Sequence, residues 1–160
     1  MKLFAFASWL MVITLFACKR NSMAVLPDFS FRLADSSTVL KTSDIPSGKT
    51  IVVILFEADC SGCQQTTDSL LQNINKLKDV QFYFLSTEQL SQVTLFRDYY
   101  KLSKYSNITV GQDHKNFLPT YFKSHGTPQI ALYNAEKQLQ GIINGKPNIN
   151  LLIEKITSIH

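Results

Sequence analysis

"TIVVILFEADCSGCQQ", residues 50–65, decides how the rest of the chain is read. Its first half, residues 50–57, is a continuous run of β-branched and apolar side chains. Ser47-Gly48 precede it and polar residues follow it. A run without alternation suits a central strand covered on both faces. The second half carries Cys60 and Cys63, spaced C-x-x-C. Beyond them Leu70, Leu71, Ile74 and Leu77 recur at helical spacing, which predicts a helix over residues 60–77. The two cysteines thus fall where a buried strand gives way to a helix. A helix N-terminus presents unpaired N–H groups and partial positive charge. That environment favours a thiolate on the first cysteine, and the thiolate is the nucleophile of disulfide exchange. Cys60 would then attack a substrate disulfide, and Cys63, one helical turn on, would resolve the mixed disulfide.

Two other chemistries compete for this pair. One is an inert structural disulfide. The other is a metal site. A zinc site lacks its second half, because the sequence has neither another Cys pair nor an H-x-x-x-H. Two thiolates with a histidine suit Cu(I), and His125 lies two residues before Thr127-Pro128. His114 and His160 read as solvated surface residues.

Working outward, Phe29, Phe31 and Leu33 alternate as in a half-buried strand, and "VLKTSDIPSGK" holds a second short strand and a loop. Residues 80–86, "VQFYFLS", predict another strand. Ser86 and Gln89 suggest a capping box for a helix over 88–104. "NITV" is a weak strand candidate, and Pro119 suits the first turn of a short helix over 119–124. "PQIALYN" and "QLQGIIN" form a hairpin across "NAEK". The last segment, "NINLLIEKITSI", places Ile149, Leu152, Ile153, Ile156 and Ile159 on one helical stripe. Strands alternating with helices, with a late hairpin, argue for an α/β fold: a mixed central sheet, helices on both faces, and extra N-terminal strands.

With 160 residues, 45% apolar and 18% charged, the chain can bury one sizeable core. The net charge of +4 is scattered and has no Lys/Arg run, which argues against nucleic acid as a partner. "MKLFAFASWLMVITLFAC" has one charge, Lys2, and then an apolar stretch ending at Cys18. The stretch is short for a membrane span, which needs roughly 20 residues, and reads as an export signal. Leu15 to Cys18, "LFAC", resembles a bacterial lipobox, although Phe16 is not the favoured residue at its position. The expected organisation is a lipoprotein signal peptide at 1–17, a lipidated tether at 18–26 beginning with Cys18, and one folded domain at 27–160. Lipid on Cys18 also accounts for the odd number of cysteines, three, and leaves one pair in a compartment where disulfides persist.

Over residues 27–160 the chain resembles thioredoxin-like proteins, in particular the TlpA/ResA-like envelope thiol–disulfide oxidoreductases. The likeness rests on "PDFSF", "SGKTIVVILF", "CSGC", "GTPQIALYN" and the final helix. It implies a membrane-tethered enzyme that exchanges disulfides with extracytoplasmic proteins through Cys60 and Cys63. It implies a cis-proline loop at Thr127-Pro128 that faces the dithiol and receives substrate. No cofactor is needed, and the implied partners are protein dithiols and disulfides and a membrane-embedded redox partner. The expected location is exported and lipid-anchored to a bacterial membrane, facing the periplasm or the cell exterior. The alternatives on this fold are a copper metallochaperone using Cys60, Cys63 and His125, or a redox-inert binding protein. Copper carriers of this fold usually space their cysteines by three residues.

The chain departs from the family at several positions. Asp59 stands where a tryptophan usually precedes the first cysteine, and Ser61-Gly62 fill the C-x-x-C. Ile54 and Thr66 occupy positions where relatives carry an acid. Glu57 and Asp59 are the remaining candidate proton acceptors, although Asp59 equally suits a helix cap. A carboxylate beside Cys60 disfavours its thiolate, which predicts a reducing or isomerising bias.

Overall fold

The computed structural model describes residues 25–35 and 37–159. The signal segment 1–17, Cys18, most of the 18–26 tether and His160 lie outside the described residues. Among the described residues the chain forms β1 (Ser30–Leu33), β2 (Val39–Lys41), β3 (Thr50–Leu55), α1 (Ser61–Gln72), β4 (Val80–Ser86) and α2 (Leu90–Tyr99). It continues through β5 (Ile108–Gln112), α3 (Phe117–Phe122), β6 (Gln129–Tyr133), β7 (Leu139–Asn144) and α4 (Ile149–Thr157).

The strands make one mixed sheet in the order β2-β1-β5-β4-β3-β6-β7. β3, β4 and β5 are parallel neighbours, and β6 pairs antiparallel to β3. The apolar run at residues 50–57 is continuous because β3 supplies two cores at once. Ile51, Val53 and Leu55 pack with Phe31, Leu118 and Phe122 on the α3 face. Val52, Ile54 and Phe56 pack with Leu70, Val93, Phe96, Leu152 and Ile156 of α1, α2 and α4. Each such buried side chain contributes roughly 1.5–3 kcal/mol of transfer free energy. The mixed sheet with helices on both faces and extra N-terminal strands is the architecture expected from the sequence.

Several boundaries differ from the sequence reading. α1 stops at Gln72, where Asn73 closes it with its N–H directed at the Leu70 and Leu71 carbonyls, and a 3₁₀ turn, Ile74–Lys76, follows. Leu77 still reaches the core, fully buried, from outside the helix. The helix predicted over 88–104 is α2 only, then a 3₁₀ turn, Leu102–Lys104, entered through Lys101 in the left-handed region at φ 52°. The Ser86–Gln89 capping box does not form, because the Ser86 hydroxyl is engaged by Glu88. The short helix sits two residues earlier than expected, with Pro119 still in its first turn.

"NITV", weak as a strand by pattern, opens the full strand β5 between β4 and β1. Its Gly111 faces Leu33, and a Cβ there would lie 2.7 Å from the Arg32 carbonyl oxygen and 2.8 Å from the Phe31 ring. Glycine is what lets β1 close on β5. Val25 and Leu26, assigned by pattern to the tether, already join the fold. Val25 bridges Gln138, and the Leu26 N–H donates to the Lys137 carbonyl at 2.8 Å.

Candidate active site

β3 delivers the chain to the site, and a tight turn follows it. The Cys60 N–H donates to the Glu57 carbonyl at 3.3 Å, closing residues 57–60. Cys60 is the N-cap of α1, in extended backbone conformation, and its sulfur accepts the Cys63 N–H at 3.1 Å. The cap role open to Asp59 is therefore taken by Cys60 itself. Cys60 and Cys63 are joined in a disulfide with Cα atoms 5.2 Å apart. Cys60 is half-buried, whereas Cys63 is 2% exposed within the α1 core. This asymmetry offers one sulfur to a partner and withholds the other.

Facing the disulfide is the loop ahead of β6. The Thr127–Pro128 peptide bond is cis. The Thr127 carbonyl oxygen lies 3.5 Å from Cys60 Sγ. The Gly145 N–H, at the end of the hairpin, donates to the Pro128 carbonyl at 2.8 Å and fixes the loop. Gly62 is fitted against this wall, since a Cβ placed on it would meet Pro128 Cδ at 3.2 Å and Lys146 Cβ at 3.6 Å. Lys146 reaches along the first turn of α1 and donates to Gln65 Oε1. The structure thus brings Cys60, Cys63, Thr127 and Pro128 together.

Glu57 and Asp59 belong to the turn that carries Cys60. Both carboxylates stand exposed on the turn rather than packed beneath the dithiol. Ile54, at 1% exposed, fills core. Thr66 is buried, and its hydroxyl donates to the Gly62 carbonyl at 2.7 Å. His125 is exposed beside a hollow of about 320 Å³ formed with Gly126, Thr127, Asn144 and Gly145. Among the described residues, no group of three or more His, Cys, Asp or Glu side chains converges as a metal site.

The opposite flank was not found by sequence reasoning. Glu88, in the loop after β4, accepts the Ala58 N–H at 2.7 Å through Oε2. Gln64 of α1 donates from Nε2 to the Ala58 carbonyl at 2.9 Å. The usable signal was position: Glu88 follows a parallel strand, and the crest outside the carboxyl ends of such strands is where α/β sheets place their sites. Next to Ala58 and Gln64 lies an apolar hollow of about 270 Å³, lined also by Leu95, Phe96, Tyr99 and Tyr100. Leu95 is 64% and Tyr99 79% exposed there. Burial, followed by the Asp68 carboxylate and the Tyr99 phenol, raises the Tyr100 pKa above its ordinary value.

No protein-family model and no curated relative matches the sequence. Solved structures do match in shape. A Chlorobium tepidum protein described as a candidate thiol:disulfide interchange protein DsbE superposes with a TM-score of 0.69 at 20% identity, covering 84% of this chain and 94% of that one. A secreted Mycobacterium tuberculosis disulfide oxidoreductase, homologous to E. coli DsbE, gives 0.68 at 18%, covering 82% and 96%. The exposed lipoprotein thioredoxin Etrx1 of Streptococcus pneumoniae gives 0.64 at 18%, covering 83% and 100%. At such identities the likeness is one of architecture. With its sheet order, its C-x-x-C at the start of α1 and the cis bond at Thr127–Pro128, the chain has the thioredoxin-like fold.

Proposed function

We propose that this protein is a thiol–disulfide oxidoreductase acting on other proteins. The observation that carries the reading is the disulfide between half-exposed Cys60 and buried Cys63 at the N-terminus of α1, facing the Thr127–Pro128 loop. In the reduced protein the N-terminal N–H groups of α1, the Cys63 N–H among them, stabilise a Cys60 thiolate. That thiolate attacks one sulfur of a substrate disulfide. A mixed disulfide forms, and the other substrate sulfur leaves as a thiolate and takes a proton from solvent. The Cys63 thiol loses its proton and attacks Cys60 Sγ. The second substrate sulfur leaves, is protonated in turn, and the Cys60–Cys63 disulfide closes. The substrate gains two electrons from the enzyme and two protons, one matched by the proton that Cys63 releases and one drawn from solvent. The Thr127 carbonyl and Pro128 border the position where the substrate chain is held during the mixed-disulfide stage. The same steps run in reverse oxidise a substrate dithiol.

The fuller reading follows the sequence. Lipid on Cys18 tethers the domain to a bacterial membrane on the extracytoplasmic side. A membrane-embedded redox partner supplies electrons to the dithiol. The exposed carboxylates of Glu57 and Asp59 beside the nucleophile support a reducing or isomerising bias, and both are available to pass protons.

The test is the reduction potential of the full-length protein in detergent, titrated in glutathione and dithiothreitol buffers. A value near or below about −250 mV supports a reductant. A value near −120 mV marks an oxidant and sinks the proposed bias. A pair that never titrates reversibly sinks the oxidoreductase reading as a whole. Cys63→Ser should trap mixed disulfides through Cys60, visible as reducible adducts on non-reducing gels.

A further inference from the structure

Ala58, two residues before Cys60, has both of its backbone groups engaged by side chains. Its N–H donates to Glu88 Oε2 at 2.7 Å, and its carbonyl accepts from Gln64 Nε2 at 2.9 Å. Glu88 is itself held by three hydrogen bonds to two residues, Ser86 and Gln112. The Ser86 hydroxyl donates to Glu88 Oε2 at 3.2 Å. The Glu88 N–H donates to Ser86 Oγ at 3.2 Å. The Glu88 carbonyl accepts from Gln112 Nε2 at 2.9 Å. Ser86 is fully buried at the end of β4, and Gln112 ends β5. Glu88 is thus moored to the ends of two strands, by its backbone to Ser86 and Gln112 and by its carboxylate to Ser86, and that carboxylate reaches across to the turn that presents the nucleophile.

We propose that Glu88 is a positioning residue for the dithiol, acting through Ala58 with Gln64 as its counterpart. The inference rests on the reading that Cys60 and Cys63 exchange disulfides. Residues 57–60 are otherwise closed by one long backbone hydrogen bond, Cys60 N–H to the Glu57 carbonyl. A hydrogen bond to an ionised carboxylate is stronger than a neutral one and fixes its donor more firmly. With Ala58 fixed on both sides, Cys60 is held at the N-cap, where its sulfur meets the Cys63 N–H. The stability of the closed disulfide depends on how well the two sulfurs are pre-aligned. Loosening the turn lowers that effective concentration and disfavours the disulfide relative to the dithiol.

The reduction potential and the Cys60 alkylation rate of the full-length protein test this. Glu88→Ala should lower the equilibrium constant for disulfide closure against glutathione about five- to tenfold, with a tenfold change equal to about 30 mV. Glu88→Gln keeps an acceptor oxygen for Ala58 but loses the charge, and should lower the constant about two- to threefold, clearly less than Glu88→Ala. Gln64→Ala, a change on the helix surface, should move the constant in the same direction by about threefold. A residue that only supports the fold would lower the thermal midpoint and leave the potential in place. Glu88→Ala at the parental potential therefore overturns the proposal, as does Glu88→Gln shifting as far as Glu88→Ala. If Glu88→Ala does not fold, an unmoved Gln64→Ala overturns it. A parent protein that never titrates is a different result: it removes the oxidoreductase reading and this inference with it.

Discussion

The two flanks of the dithiol are built by opposite means. On one side Thr127 and Pro128 present a carbonyl and a ring, fixed by a cis bond and by the Gly145 N–H. Gly62 packs against this wall, where an added Cβ would lie 3.2 Å from Pro128 Cδ. On the other side a carboxylate reaches over from β4 and holds the Ala58 N–H, with a buried serine behind it. A backbone wall tolerates many side-chain identities around it. A carboxylate bracket fails with one substitution. The first flank leaves the Thr127 carbonyl beside Cys60 Sγ, and the second holds one conformation of the turn that carries it.

Four changes break or sharpen that contrast, taken from the largest effect downward. Cys60→Ser removes the group both flanks serve, and exchange with a fluorogenic disulfide peptide should fall at least about a thousandfold. Retention of more than a few per cent of the rate would mean the flanks serve another nucleophile. Phe56→Ala attacks the floor beneath both. Phe56 is fully buried, with Phe96 at 4.3 Å and Phe84 at 6.2 Å between ring centroids. Loss of such a side chain costs about 3–5 kcal/mol, read from urea unfolding. A cost under about 1 kcal/mol would show a floor that collapses freely.

Tyr133 supplies a control remote from both flanks. It pairs with Ile51 at the far end of β3, and burial, with Tyr121 nearby, pushes its phenol well above the ordinary tyrosine range. The unfolded phenol ionises near pH 10 and the folded one does not, so this share of stability is intact below about pH 10 and is lost as pH rises beyond it. The loss should reach roughly 1 kcal/mol by pH 11, and Tyr133→Phe should abolish it. An unchanged slope of stability against pH in that variant would contradict the assignment. Gly62→Ala is the smallest change. Alanine within a helix normally gains about 1 kcal/mol over glycine. Here the 3.2 Å approach to Pro128 should cancel most of that gain and slow exchange a few-fold. The full gain with an unaltered rate would show that the Pro128 wall yields.

The same contrast explains what was legible in the sequence. The unbroken apolar run at residues 50–57 announced a strand with two cores, and Cys60 and Cys63 announced a dithiol at a strand–helix junction, because each is a local pattern; the facing Thr127-Pro128 loop was legible only through the family resemblance. Glu88 and Ala58 are thirty residues apart, and their bond depends on parallel pairing of β3 with β4. No window on the sequence contains both. The capping-box reading of Ser86 and Gln89 erred for the same reason: Ser86 answers to Glu88 within the site, not to the helix that follows. β5 was faint because its Gly111 carries no side chain to mark a strand, and its place is fixed by β1 closing over it.

One feature of the fold bears on how the protein meets its surroundings. Val25 pairs with Gln138 beside the β6–β7 turn, and that turn sits at the Ile51 end of β3, whereas the dithiol lies beyond Leu55. A strand of that length separates the two points by roughly 20 Å. The polypeptide therefore joins the body at one pole and presents its sulfurs at the other. A molecule that docks on the dithiol thus approaches the end of the body opposite to the one at which Val25 enters it.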